Sequence, residues 1–281
     1  MHKYLFFGAS LASLAVPLAA QEVEDAVTLG GTRVVPEETI TVTATGTRID
    51  VVATGQAVTV LGQDEIEAVQ GADLLRVLER VPGLTHARNG GAGSFTGVRL
   101  RGAEAEQTLV ILDGVRVADQ AAPGGGFDFG NLLSANLQKL EVLRGSNSTV
   151  WGSDAIGGVV VAETSAASGL RASAEYGSRE TFTGSVAGGI GGERGFLGGA
   201  ASYFRTDGIS AAASGTEPDG FEQWDVNAQA RYYFSDRFEV FARGRWAEGR
   251  LDVDGFPAPA FTLATPDRAR STSGRCSRVR R

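Results

Sequence analysis

Cysteine and histidine are scarce in this chain of 281 residues, which contains one cysteine and two histidines. The lone cysteine, Cys276, has no partner for a disulfide within the chain, so a small secreted domain held together by disulfides is excluded. His2 lies at the N terminus and leaves His86 alone in the rest of the chain. No Ser-His-Asp order, cysteine nucleophile or metal-ligand cluster is present. The sequence therefore predicts a protein that is not an enzyme.

Long hydrophobic runs are also missing. The apolar run within residues 4–16 is too short for a membrane-spanning helix. Lys3 precedes this run and small residues follow it, which is typical of a secretory signal peptide cleaved near Ala20. We therefore interpret residues 1–20 as a cleaved signal peptide and expect an exported protein. Because no other run is long enough for a transmembrane helix, membrane insertion would have to use β-strands.

Proline and basic residues are few over most of the chain. Eight prolines against 39 glycines favour a turn-rich β protein over a disordered one. The net charge of -7 is unevenly distributed, because residues 268–281 contain six arginines and no acid. The remainder is more acidic than the total suggests and has no basic stripe. A nucleic-acid partner is therefore not expected.

A mixed α/β unit is predicted over residues 50–165, after a polar linker at residues 21–49. The sequence "AVTVL" indicates a strand, and Asp64 is well placed to cap the helix that follows it. "ADLLRVLERVPG" predicts a second helix ended by Pro82-Gly83. Its apolar face comprises Leu74, Leu75, Leu78 and Val81. "ILDGVRV" predicts a hairpin, because Asp113-Gly114 favours a tight primed turn.

From about Gly169 onward, alternating polar and apolar residues replace the helical pattern. Within residues 224–234 the even positions are apolar or aromatic and the odd positions are mostly polar, and residues 238–246 repeat the pattern after a short turn. Weaker strands are indicated at residues 171–176, 181–190 and 196–209. Segments of this length are typical of outer-membrane β-strands. A soluble β-sandwich with one solvated face is the alternative, but short turns that alternate with long polar loops favour the membrane interpretation.

Six segments together resemble the TonB-dependent outer-membrane receptors. In chain order they are "ETITVTA", "LLRVLERVPGL", "VRLRG", "LVILDGVRV", "LEVLRG" and "WGSDAIGGVV". Within that family the cobalamin receptor group is the most similar, because "NGGAGS" precedes "VRLRG" and "GSDAIGGVV" follows. Catecholate-siderophore receptors share several of these segments, so siderophore uptake is the alternative.

The resemblance implies an α+β plug domain followed by the first strands of an antiparallel transmembrane β-barrel. The complete family barrel has 22 strands around its plug, so the barrel would be incomplete here. We assign residues 166–267 to the partial barrel and 268–281 to an atypical basic tail without strand alternation. About five or six strands are predicted, too few to close a barrel. We therefore also consider that the chain is a truncated, non-transporting product whose tail is read in another frame.

The resemblance also implies a contact with the inner-membrane protein TonB and its complex. In the family, TonB captures an N-terminal box by adding it as a strand to its own sheet, a mode called β-augmentation. The sequence around this segment offers no local strand partner. The residues assigned to the box are Glu38, Thr39, Ile40, Thr41, Val42, Thr43 and Ala44.

Three further sets of residues take roles from the resemblance, each with a simpler alternative. Arg101 and Arg144 would lock the plug to barrel glutamates, or else be solvated strand ends. An apical loop would meet substrate, or else be a plain turn; its residues are Asn89, Gly90, Gly91 and Ser94. Loop acids would bind calcium, or else be solvated, since "DVDG" lacks the downstream glutamate of a calcium loop. These acids are Glu217, Asp219, Asp252 and Asp254.

The implied function is active transport across the outer membrane, driven by TonB. The expected partners are TonB, outer-membrane lipid and a small-molecule substrate such as cobalamin or a siderophore. A monomer is expected. No cofactor is required, although calcium is compatible with the loop acids.

Overall fold

The computed structural model describes most of the chain from Gly55 onward and a few residues before it. The described residues are 28–29, 32–33, 41–42, 46, 49–50, 55–119, 125–164, 169–212, 217–235, 238–254 and 270–280. The chain divides into two compact units, Met1–Thr39 and Ile40–Arg281. In the first unit, β1 (Thr28–Leu29) pairs antiparallel with β2 (Thr32–Arg33).

The second unit begins with a short strand pair that corrects one sequence prediction. β3 (Thr41–Val42) pairs antiparallel with β4 (Ile49–Asp50), so the segment predicted to lack a local partner has one. Gly46, which lies between the two strands, has a φ of 92°. This left-handed conformation suits glycine and is common where a chain reverses direction. The other residues of the predicted box, Glu38 to Ile40, Thr43 and Ala44, lie outside the described residues.

A five-stranded sheet forms the centre of what we call the plug, residues 55–164. Its strand order is β5-β10-β11-β8-β9, and only the β8–β11 pair is parallel. Strands β6 and β7 form a separate antiparallel pair. The bounds are β5 Ala57–Gly62, β6 Leu84–Arg88, β7 Thr96–Leu100, β8 Thr108–Leu112, β9 Val115–Val117, β10 Leu137–Arg144 and β11 Gly158–Thr164.

Three short α-helices lie among the described residues of the plug. α1 (Gln63–Glu67) is capped by Gly62, not by Asp64 as the sequence predicted. The Gly62 N–H donates to Glu65 Oε2 at 3.0 Å, so the carboxylate at the third helical position satisfies the free donor. α2 (Leu74–Leu78) confirms the second predicted helix, but it ends at Leu78 and not at Pro82-Gly83 as the sequence predicted. α3 (Ser148–Trp151) ends at Gly152.

The main hydrophobic core of the plug lies where α1 and α2 pack with the strands of the plug. Leu74, Leu75 and Leu78, predicted as one helical face, are all buried there, together with Val81 just beyond the helix. β10 and β11 occupy the interior of the sheet and expose little of either face, which explains their nearly continuous apolar sequence.

The predicted hairpin at Asp113-Gly114 is confirmed. Both residues have positive φ, 51° and 82°, as a type I′ turn requires. The Asp113 carboxylate accepts hydrogen bonds from the Thr164 N–H at 2.8 Å and from the Thr164 hydroxyl at 2.9 Å. The turn is therefore tied to the end of β11.

The second half of the chain forms a six-stranded antiparallel sheet, here called the wall, with its strands in sequence order from β12 to β17. β13 and β14 are joined by a short turn, whereas the connection from β14 to β15 spans residues 207–220. The bounds are β12 Gly169–Tyr176, β13 Phe182–Gly192, β14 Gly195–Thr206, β15 Phe221–Ser235, β16 Phe238–Asp252 and β17 Arg270–Arg280.

The wall buries its polar face and exposes its apolar face, which is the reverse of a soluble β-sandwich. Gln223, Asp225 and Asn227 are buried on the inner face of β15, whereas Trp224 and Val226 are exposed on the outer face. The polar side is therefore covered and the apolar side is open. This arrangement confirms the predicted alternation and argues against the soluble β-sandwich.

The basic tail differs from its prediction. Residues Arg270–Arg280, predicted to lack a strand pattern, form β17 and pair with β16 along its length. Strand pairing uses main-chain N–H and C=O groups, which are present whatever the side chains are. The missing alternation therefore did not prevent pairing.

Within the part of the chain that the structure describes, no helix has the length and apolar character needed to cross a membrane.

Removing the Leu140 side chain should destabilise the plug. Leu140 is fully buried in β10, so Leu140→Ala should lower the free energy of unfolding by about 2–5 kcal/mol through lost burial and a residual cavity. Chemical denaturation of the refolded chain provides the measurement. Gln138→Ala is the matched control, because Gln138 is exposed on the same strand and its truncation should change stability by less than about 0.5 kcal/mol. Equal losses in the two variants would contradict the assignment of the core.

Candidate functional site

The predicted apical loop lies against the end of the wall that carries the long β14–β15 connection. A Cβ built on Gly90 would lie 3.5 Å from Ala211 Cβ, and one on Gly93 would lie 2.2 Å from the Phe221 ring. Gly93 also has a φ of 81°. Glycine is therefore required at position 93 for the close approach of the loop to the wall, whereas position 90 makes an ordinary contact with it. Asn89 and Ser94 belong to the same β6–β7 connection, where the Asn89 N–H donates to Phe95 O at 3.1 Å.

Two of the four predicted calcium-site acids bind the β14–β15 connection. Asp219 Oδ2 accepts the Ala211 N–H at 2.7 Å, and Asp254 Oδ2 accepts the Ala212 N–H at 2.7 Å. Asp252 contributes its backbone, since its N–H donates to Gly220 O at 2.9 Å, and Glu217 is exposed. The first two carboxylates therefore order this connection beside the apical loop.

The Asp219 carboxyl lies among other acids. Burial raises its pKa above the ordinary value of 3.8, the Ala211 N–H opposes this effect, and the nearby charges of Asp254 and Asp252 raise the pKa further. Among the described residues, no group of three or more histidine, cysteine, aspartate or glutamate side chains is arranged to hold a metal ion. The binding of calcium by the four acids stays a prediction.

The two arginines predicted to lock the plug lie near the Pro82-Gly83 turn. The Arg101 main-chain N–H donates to Gly83 O at 2.8 Å, and Arg144 Nη1 donates to Pro82 O at 3.2 Å. Neither forms an ion pair with an acid of the described residues. Their pairing with barrel glutamates stays a prediction.

Other residues join the plug to the wall, and their pairing could not be read from the sequence. Gln223 Nε2 donates to Asn131 O at 2.9 Å, and Arg243 Nη1 donates to Asp113 O at 2.9 Å. The signal available in the sequence was the row of polar residues at alternate positions of β15 and β16. That row identifies an inner face, but it does not say which plug residues lie opposite.

The deepest contact involves Asn136, Asp225 and Arg245. Asn136 Nδ2 donates to the main-chain oxygen of Asp225 at 3.2 Å and to its carboxylate Oδ1 at 3.3 Å. Arg245, on the neighbouring strand, donates Nε to Asp225 Oδ1 at 3.2 Å and forms an ion pair with Oδ2. Asn136 of the plug and Arg245 of the wall thus share the buried carboxylate of Asp225.

Substituting Asp219 should change how stability depends on pH. The folded state holds the Asp219 proton more tightly than the unfolded chain, because its folded pKa is raised. This contribution to stability is complete below about pH 3.8 and is lost as pH rises through the raised value. Asp219→Asn removes the carboxyl group whose ionisation lowers stability, while the amide oxygen of the asparagine still accepts the Ala211 N–H. The thermal unfolding midpoint of the variant should therefore increase relative to that of the unsubstituted chain as pH rises.

Thermal unfolding followed at several pH values, over a range that starts below about pH 3.8 and extends to neutral pH, provides this measurement. Glu217→Gln is the control, since it removes one carboxylate of the same loop at an exposed position. A midpoint difference for Asp219→Asn that stays constant over this range would contradict the assigned electrostatics.

Comparison with known proteins places the chain among receptors that share these features. Residues 50–159 match the family profile described as the TonB-dependent Receptor Plug Domain. The chain is also similar to the protein described as vitamin B12 transporter BtuB of Photobacterium profundum, with 33% identity over 202 residues. That alignment covers 67% of this chain and 32% of the relative. The chain therefore spans about a third of the length of this relative.

Solved structures show the same fold at lower sequence identity. The pyoverdine outer membrane receptor FpvA from Pseudomonas aeruginosa PAO1 superposes with a TM-score of 0.60 at 14% identity, covering 77% of this chain and 32% of its own. The siderophore receptor PiuA from Acinetobacter baumannii superposes with a TM-score of 0.59 at 18% identity, covering 74% and 29%. Both likenesses concern the fold alone. Taken with the family profile and the curated relative, they show that the chain belongs to the TonB-dependent receptors, with a plug domain and the first strands of the antiparallel barrel.

Proposed function

We propose that this chain belongs to an active-transport receptor of the outer membrane that takes up cobalamin or a complex of similar size, energised by TonB. The observation that carries this proposal is the 33% identity to a vitamin B12 transporter over 202 residues. An alignment of that length exceeds the plug profile match at residues 50–159, so it is not confined to the plug. Siderophore uptake by the same architecture is the alternative.

The side chains on the outer face of the wall support the proposal that the wall inserts into lipid. Its outer face carries large exposed apolar and aromatic side chains, while its inner face is polar. In a bilayer the outer face would meet hydrocarbon, and aromatic residues near strand ends would lie at the interface. The outward-facing residues are Leu170, Tyr176, Val186, Ile190, Leu197, Trp224, Val226, Tyr232, Phe234, Phe238, Val240 and Trp246.

The predicted TonB box supports the proposal that TonB supplies the energy for transport. β-Augmentation requires a segment whose main-chain groups can pair with a strand of the partner. Thr41 and Val42 already adopt strand geometry opposite Ile49 and Asp50. A two-residue pairing offers few hydrogen bonds, so TonB could replace it at small cost or pair with its other edge.

Substituting Val42 by proline should abolish TonB binding. Proline removes a main-chain donor and fixes φ, so the augmented strand loses a hydrogen bond within its short length. Binding of the purified chain to the periplasmic domain of TonB, measured by pull-down and titration, should fall by at least about tenfold. Glu24→Pro, which lies outside residues 38–44, is the control and should bind normally. Undiminished binding of the Val42→Pro variant would show that this segment is not the TonB box.

The substrate is tested by uptake into cells that lack their own cobalamin receptor. Cells that express the complete product of the gene should accumulate radiolabelled cobalamin, and a TonB-deficient strain should not. Iron accumulation from a catecholate siderophore, without cobalamin uptake, would favour the alternative. Absence of both, together with a product found in the soluble periplasmic fraction, would support a non-transporting fragment.

No cofactor is required for this function, and calcium is proposed only as a structural ligand of the β14–β15 and β16–β17 connections. Asp219 Oδ2 and Asp254 Oδ2 are engaged by main-chain N–H groups. Calcium binding would therefore need these connections to rearrange.

A further inference from the structure

The inner face of the wall carries one buried ion pair that also contacts the plug. The Asp225 and Arg245 side chains are 2% and 10% exposed, respectively. Both lie on the wall, on the adjacent strands β15 and β16, where Asn227 is the register partner of Arg245. The pair therefore bridges two wall strands before any contribution from the plug.

Asn136 brings the plug to this pair. It ends a short 3-10 turn, Ser134–Asn136, immediately before β10, which is an interior strand of the plug sheet. Asn136 is itself 2% exposed. Because a buried strand follows it directly, the position of its side chain is fixed by the core of the plug rather than by a loose loop.

Exposure distinguishes this contact from an ion pair that joins the plug to the wall. Glu67 and Arg171 form that pair at 3.0 Å, but their side chains are 53% and 48% exposed. An exposed pair of this kind contributes little, because water and salt screen it. Removing one partner from a buried, hydrogen-bonded pair is far more disruptive, since the remaining charge is left without compensation.

Two contacts to main-chain oxygens flank the buried pair. On β15, Gln223 donates to the main chain at Asn131, and on β16, Arg243 donates to the main chain at Asp113. Because both acceptors are main-chain oxygens, these contacts use no charged group of the plug. The shared carboxylate of Asp225 therefore lies at the centre of a polar strip that connects plug and wall.

We propose that Asn136, Asp225 and Arg245 act together as a latch that docks residues 131–136 of the plug onto the inner face of the wall. The Asp225 carboxylate is held by Arg245 and presented to the Asn136 amide. The latch is built from residues of this chain alone and does not depend on the identity of the transported substrate. Its loss should release the plug while the wall keeps its strands.

Three variants test the latch. Asn136→Asp places two carboxylates against each other, and Asp225→Asn leaves Arg245 without its counter-charge. Each should raise the rate of proteolysis within the plug by at least about tenfold, because a buried charge loses its compensation. The double variant Asn136→Asp/Asp225→Asn returns one carboxylate and one amide to the site, with the acid now on the plug. It should recover protection to within about threefold of the unsubstituted chain.

Proteolysis is followed in the membrane-inserted or detergent-refolded full chain, with strand content monitored by circular dichroism. Asn136→Ala is the milder variant, since it leaves the ion pair intact; it should raise plug cleavage without loss of strand signal. Glu67→Gln and Arg171→Gln are matched controls at the same interface and should change the rate by less than about fivefold.

Several results would overturn the latch. One is unchanged plug protection in Asn136→Ala. Another is a double variant no better protected than the worse single variant, which would show that the two residues are not coupled across the interface. Equal effects from the exposed control pair would also remove the special role assigned to the buried carboxylate.

Discussion

A polar face that is covered by protein has to find hydrogen-bond partners, and this constraint organises the second half of the chain. The wall points Gln223, Asp225 and Asn227 inward. Buried amides and carboxylates without partners cost free energy that a marginally stable fold cannot spare. The plug supplies partners for Gln223 and Asp225 through Asn131 and Asn136, whereas neither side-chain amide atom of Asn227 has a partner among the described residues. Plug and wall are therefore complementary in hydrogen bonding, and they also share an apolar cluster that joins Leu133 of the plug to Phe204 and Phe221 of the wall.

The plug itself follows the opposite rule. Its helices and interior strands bury an ordinary apolar core, and the residues that reach the wall lie at turns and strand ends. This division separates two sources of stability. The apolar core maintains the plug as a unit. Polar contacts and the smaller apolar cluster around Leu133, Phe204 and Phe221 together hold the plug against the wall.

Local patterns predicted the elements better than their partners. The Asp113-Gly114 hairpin, the Leu74–Leu78 helix and the alternation of β15 were readable because turn chemistry and periodicity act over a few residues. The pairing of β3 with β4 and the pairing of the basic tail with β16 were not predicted. Both depend on main-chain hydrogen bonds, which leave little trace in side-chain pattern. The cap of α1 was misplaced for a similar reason, since the main-chain N–H of Gly62 takes part in it rather than the Asp64 side chain.

The sequence by itself determined the family, the order of plug and wall, and which side chains of β15 face inward, because each of these depends on motifs or on a two-residue period. Only the tertiary structure decided which plug residues meet that inner face. Asn136 and Asp225 are 89 residues apart in the chain, and nothing local connects them. Their contact exists because the 3-10 turn that precedes β10 places Asn136 at the position to which the register of β15 with β16 brings Asp225 and Arg245. The same reason explains why the apical glycines could be named from the sequence, whereas the Phe221 ring that requires Gly93 could not.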